Sequence, residues 1–176
     1  TESVPLDTKL YISSIEYLLN MGFKVIRIGN KNMTPMLYRP GFIDLTQVDR
    51  PGEVDIFLCA SAKFYFGSLS AAYSLSSTFG TPCCLTSVLP YGPIRINDFI
   101  QNLQFRDINT QAIPSISKIK EYGLCGATQV KHFKSFYLRP DFPNSAQNTK
   151  LVQEMVEYRD KNEIFHLNNK YQKEKE

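Results

Sequence analysis

The stretch DIFLCASAKFYFGSLSAAYSLSSTFGTPCCLTSVLP, residues 55–90, decides how the rest of the chain is read. It opens on an apolar run that reads as a strand, steps through Phe64, Tyr65 and Phe66, and turns at Gly67, Ser68, Leu69 and Ser70. Helical spacing follows, with Ala71, Ala72, Leu75 and Phe79 able to share a face. Gly80 stops that helix, Pro82 forbids its continuation, and Cys83, Cys84, Leu85, Val88 and Leu89 start another strand. Strand, glycine-serine turn, helix, strand is the resulting pattern. In an open α/β sheet such a turn lies at the carboxyl end of a strand and presents free backbone N–H groups to anionic ligands.

Working outward from there, Asp7 caps a helix running to about Met21, with Tyr11, Ile15, Leu18 and Leu19 as its apolar stripe and Gly22 closing it. Residues 23–29 read as a strand centred on Val25, Ile26 and Ile28. Residues 31–41 form a loop with two prolines, and 42–45 a short strand. Residues 49–52 are a turn. Beyond Pro90, residues 91–97 are a loop, and 98–105 fit either a strand or a short helix. A short helix over 115–122 and a strand at Phe136, Tyr137 and Leu138, stopped by Pro140, come next. A final helix buries Leu151, Val152, Met155 and Val156. This alternation predicts an α/β fold: a Rossmann-like three-layer domain over residues 1–165, with a mainly parallel sheet flanked by helices, and a polar tail over 166–176.

The 176 residues suit one domain, and 43% apolar with 21% charged residues is ordinary globular composition. The net charge of +3 is small and its basic residues are scattered, which gives no case for nucleic acid. No apolar run approaches the roughly 20 residues of a membrane helix. Cys59, Cys83, Cys84 and Cys125 form no CxxC, and His132 and His166 are far apart, so no metal site is expected. The cysteines in apolar runs are expected to be buried thiols, because a vicinal Cys83–Cys84 bond would be strained. Asn32, Met33 and Thr34 match the glycosylation sequon, which has meaning only in a secreted protein. The chain opens without Met directly before a helix and without a signal-like segment. We expect a cytoplasmic piece of a longer protein.

Arg27 is the irregular residue, a cation inside an apolar strand. One account makes it an edge or snorkelling side chain. The other makes it a guanidinium held beneath a phosphate or carboxylate, where its planar fork binds two oxygens. The serines of the turn are open in the same way, since Ser68 and Ser70 suit both helix capping and ligand contact. Lys63, Tyr65 and Glu154 are weaker candidates, each with a plain alternative: a solvated strand end for Lys63, sheet filler for Tyr65, solvent exposure for Glu154; Asp55 and Asn97 are weaker still.

Taken together, VIRIG at 25–29, IDL at 43–45, DIFLCASAKFYFGSLSA at 55–71 and FGTPCCLTSVLP at 79–90 resemble the C-terminal half of a group of bacterial glycosyltransferases of two-domain GT-B architecture. The likeness covers about residues 8–158. It implies a Rossmann-like domain that binds a nucleotide-sugar donor, without a metal or other cofactor, and a missing N-terminal domain that holds much of the acceptor site. Gly67, Ser68, Leu69 and Ser70 would then lie by the donor diphosphate with Arg27 as cationic partner. Gly29, Lys63, Tyr65, Asn97 and Glu154 would be further donor contacts. The turn departs from the family at Leu69 and Ala71, where smaller or more polar residues are usual. No catalytic residue can be assigned: paired carboxylates at a convincing spacing are absent, so the base would come from the missing half. The rival expectation is a non-catalytic α/β module kept for binding or assembly.

Overall fold

The computed structural model describes residues 7–89, 98–125 and 129–160. Asn97, His166, the loop at 91–97 and the tail at 166–176 lie outside them.

Helix α1 (Lys9–Asn20) starts where the Asp7 carboxylate accepts the Lys9 N–H at 3.0 Å. It ends in a left-handed Gly22, φ 82°, with the Phe23 N–H returning to the Leu18 carbonyl. Strand β1 (Val25–Arg27) pairs in parallel with β2 (Phe42–Asp44). The loop between them binds back onto β2 through the Met36 N–H and the Asp44 carboxylate, 2.9 Å.

The structure departs from the expected strand at the start of the stretch 55–90. Residues 55–61 are not a strand but most of helix α2 (Gly52–Ser61). A short apolar run carries no period that separates a buried strand from a helix. The flanks decide it here: Pro51 sits at the N-cap, and Glu53 and Asp55 place negative charge in the first turn. The expected strand begins only after the helix, as β3 (Tyr65–Gly67). Helix α3 (Ala71–Thr78) follows as expected, and β4 (Cys83–Val88) pairs in parallel with β3. On the other side of β4 lies a third parallel strand, β5 (Phe99–Asn102).

The ambiguous residues 98–105 thus resolve into strands. Leu103 alone separates β5 from β6 (Gln104–Asp107), and its N–H still reaches the Val88 carbonyl at 2.7 Å. Strand β6 turns away to pair antiparallel with β7 (Leu138–Asp141), after the short helices α4 (Ile116–Glu121) and α5 (Val130–Lys134). Pro140 does not stop β7 but lies within it opposite Phe105; this two-stranded ladder can spare one N–H. Helix α6 (Ser145–Asp160) completes the described chain.

The result is a mixed α/β fold: two parallel sheets, β1-β2 and β3-β4-β5, and one antiparallel pair, β6-β7. Alternate residues of β4 face different neighbours. Cys84 packs with Leu18 of α1 and Leu151, Val152, Met155 and Val156 of α6. Cys83, Leu85 and Val88 pack instead with Tyr65, Ile100 and Tyr73 of α3. A second core of Leu103, Phe105, Ile119, Leu124, Phe133 and Leu138 holds β6, β7, α4 and α5 together, and Leu89 at the end of β4 packs against it. One buried polar bridge ties the main layers. The Thr86 hydroxyl donates to Asn148 Oδ1 (2.5 Å), and Asn148 Nδ2 donates to the Leu10 carbonyl (3.1 Å).

Candidate functional site

The turn at 67–70 is braced from beneath by Tyr65. Its hydroxyl donates to the Ser68 carbonyl at 2.9 Å and lies 3.1 Å from Ser70 Oγ. With the phenol hydrogen given to the carbonyl, the Ser70 hydroxyl is left to donate to Tyr65. Ser70 Oγ also caps α3, accepting the Tyr73 N–H at 3.3 Å. To reach this position the Tyr65 side chain folds over Gly67, where a Cβ would stand 2.5 Å from the Tyr65 hydroxyl. Glycine at 67 thus makes room for the Tyr65 ring by close approach, not through its dihedral angles. Burial pushes the Tyr65 phenol up to about 12, so it stays a neutral hydrogen-bond donor through the physiological range.

This geometry separates the roles of the two serines. The Ser70 hydroxyl is committed to the cap and to Tyr65 and has no hydrogen left for a ligand. The backbone is different. None of the N–H groups of residues 68–70 donates to another described residue. Ala71 and Ala72 open α3 and carry N–H groups that a helix's first turn cannot satisfy within itself. Five successive donors thus lie at the carboxyl end of β3, backed by the positive end of a helix. Leu69 stands in the turn, 36% exposed.

Arg27 closes β1 and lies opposite Asp44 in register. Its Nη1 donates to Asp44 Oδ2 and to the Thr34 carbonyl, both at 2.8 Å. Part of the guanidinium is therefore structural. Nε and Nη2 make no hydrogen bond among the described residues, and the side chain is 16% exposed. Asp44 is saturated: besides Arg27 it accepts the Met36 N–H and, on its other oxygen, the Thr46 N–H and hydroxyl. Burial works to raise its pKa, but these hydrogen bonds outweigh it and hold the carboxyl below the ordinary range.

Gly29 belongs to a neighbouring knot. Its carbonyl accepts from Arg50 Nη2 at 3.1 Å, and a Cβ there would collide with Met33 Sδ and press on Thr46. Arg50 also grips Asp55 in a bidentate pair (2.7 and 3.1 Å) and donates to the Leu45 and Val48 carbonyls. It joins the carboxyl ends of β1 and β2 to the start of α2. Sequence reasoning missed Asp44 and Arg50. The signal was present: an acid at the end of a short strand, and an arginine five residues before an acid that opens a helix.

Arg27 and Gly29 lie at the end of β1, whose sheet with β2 is separate from the β3-β4-β5 sheet that carries the turn, and two further sequence candidates leave the site. Lys63 precedes β3, so it lies at the end of the strand opposite the turn. Its ammonium sits 5.3 Å from the Phe23 ring centroid, and its carbonyl accepts from Arg159 of α6. Glu154 stands exposed on α6 beside Lys150, at 4.0 Å. Among the described residues no group of three or more His, Cys, Asp and Glu side chains could hold a metal ion. No helix there is long and apolar enough to cross a membrane. None of the four cysteines is in a disulfide; Cys59, Cys83 and Cys84 are buried and Cys125 is exposed. Comparison with protein-family models, with curated proteins and with solved structures returned no match.

Proposed function

We propose that this chain is the donor-binding domain of a glycosyltransferase, taking the diphosphate of a nucleotide sugar at the turn 67–70. The carrying observation is the row of uncommitted N–H groups at residues 68–72, where a glycine turn meets a helix start beyond a parallel strand. Arg27, whose Nε and Nη2 make no hydrogen bond among the described residues, supports the same reading from the carboxyl end of a parallel strand in the separate β1-β2 sheet. In this account the donor's negative charge is met by backbone dipoles and one guanidinium rather than by a metal. The domain is Rossmann-like, with α1 and α6 on one side of the sheet and α2 and α3 on the other. An N-terminal domain supplies the catalytic base and most of the acceptor site, and the whole protein works in the cytoplasm.

Leu69 within the turn favours a second reading, a non-catalytic module in which the anion site has been overbuilt. Calorimetry with UDP, GDP, ADP and CDP separates the two. Donor binding predicts a dissociation constant in the micromolar to millimolar range for at least one of them. It also predicts about tenfold weaker binding for Arg27→Lys, which keeps a cation for Asp44 but loses the planar fork. No heat with any nucleotide returns the chain to the second reading.

A further inference from the structure

Ser87 is the outlier of the central strand. Its φ is 58°, in the left-handed region that glycine or asparagine ordinarily fills. It sits where the ladder to β5 slips: Thr86 pairs with Gln101, but Val88 pairs with Asn102, leaving Ser87 as the bulged residue. It is also the one residue of β4 that is not buried. Its hydroxyl makes no hydrogen bond among the described residues, whereas that of its neighbour Thr86 is fixed on Asn148.

Position gives these facts a meaning. Gly67 pairs with Leu85, so Ser87 lies two residues further along the adjacent strand, level with the start of the turn at 68–70. Adjacent strands run about 5 Å apart and rise about 3.3 Å per residue, which brings the bulge within reach of any group seated on the turn. Glycine would hold the same bulge without backbone strain. What serine adds is a single CH₂OH group, partly open to solvent.

We infer that Ser87 is a further ligand-binding residue, whose hydroxyl donates to a phosphate oxygen of the nucleoside diphosphate held by the turn. This rests on the donor-binding reading and extends it to the next strand. A neutral hydroxyl beside a row of N–H groups adds a directional donor for an oxyanion without adding charge. The strained bulge fixes where that donor stands.

Two variants test the assignment on the whole chain, by calorimetry with UDP, GDP, ADP and CDP and by thermal unfolding. Ser87→Ala removes the hydroxyl and keeps the strain. Ser87→Gly removes the hydroxyl and relieves the strain. The expected result is binding about tenfold weaker in both, with Tm raised by a few degrees in Ser87→Gly alone. Wild-type affinity in both variants, with the wild-type chain binding at least one nucleotide, would make Ser87 a purely structural bulge and overturn the assignment. A wild-type chain that binds none of the four overturns the donor-binding reading, and the role of Ser87 with it.

Discussion

Arg50 and Asp44 organise the carboxyl ends of β1 and β2. Arg50 spends its guanidinium on five hydrogen bonds from a side chain that is only 11% exposed. Lysine retains the charge but cannot reproduce the fork, leaving carbonyls without donors. Arg50→Lys should therefore cost about 2–3 kcal/mol in urea unfolding, and a loss under about 0.5 kcal/mol would contradict this role. Asp44 predicts an acid dependence. Its folded pKa is lowered, so its stabilisation is complete above the ordinary carboxyl value of about 4 and is lost as pH falls through the folded pKa. Asp44→Asn should lower stability at neutral pH and flatten the fall in stability below about pH 4. A variant as acid-sensitive as the parent would move that dependence to another carboxylate. The thiols offer a simple check: Cys59, Cys83 and Cys84 are all buried, and burial raises the pKa of Cys84. One thiol per native chain, that of Cys125, should react rapidly with a maleimide, and all four after denaturation.

At the scale of elements, the turn after β3 depends on a pair of residues rather than on glycine alone. Gly67→Ala would push the Tyr65 ring aside and release Ser68 and Ser70, at a cost of about 1–2 kcal/mol. In a Tyr65→Ala background the same substitution meets nothing from that ring and should cost markedly less; additive effects would refute the coupling. What was legible in the sequence follows from where signals are local. The α1 stop at Gly22, the Ser70 cap, the turn itself and the buried face of α6 could all be read, because capping and 3.6-residue spacing act within a few residues. The apolar run of α2 could not, since its helix is set at its start by Pro51 and the Arg50–Asp55 pair. Pro140 misled for a related reason: a proline interrupts a strand only if its N–H is needed, and that depends on the partner strand. The partition of Arg27 between Asp44 and a free edge was invisible, because the register of two strands fourteen residues apart decides it.

For the molecule as a whole, two larger apolar cores accompany the smaller cluster of Cys83, Leu85 and Val88. Cys84 and the α1–α6 cluster form the first, while Phe133, Leu138 and their neighbours form the second around β6-β7, joined to the sheet through Leu89. The continuous strand path from β5 through Leu103 into β6 places this second core beyond the carboxyl ends of β4 and β5, on the side of the sheet where the turn and Ser87 also lie. Everything in the functional proposal depends on that end of the sheet accepting a diphosphate. The most direct measurement is an amide NMR titration of the ¹⁵N-labelled chain with UDP, GDP, ADP and CDP. The account predicts saturable shifts at the amides of residues 67–72 and at the Arg27 side chain with at least one nucleotide, and none at Lys63 or Glu154. Unmoved resonances at 67–72 with all four would contradict it.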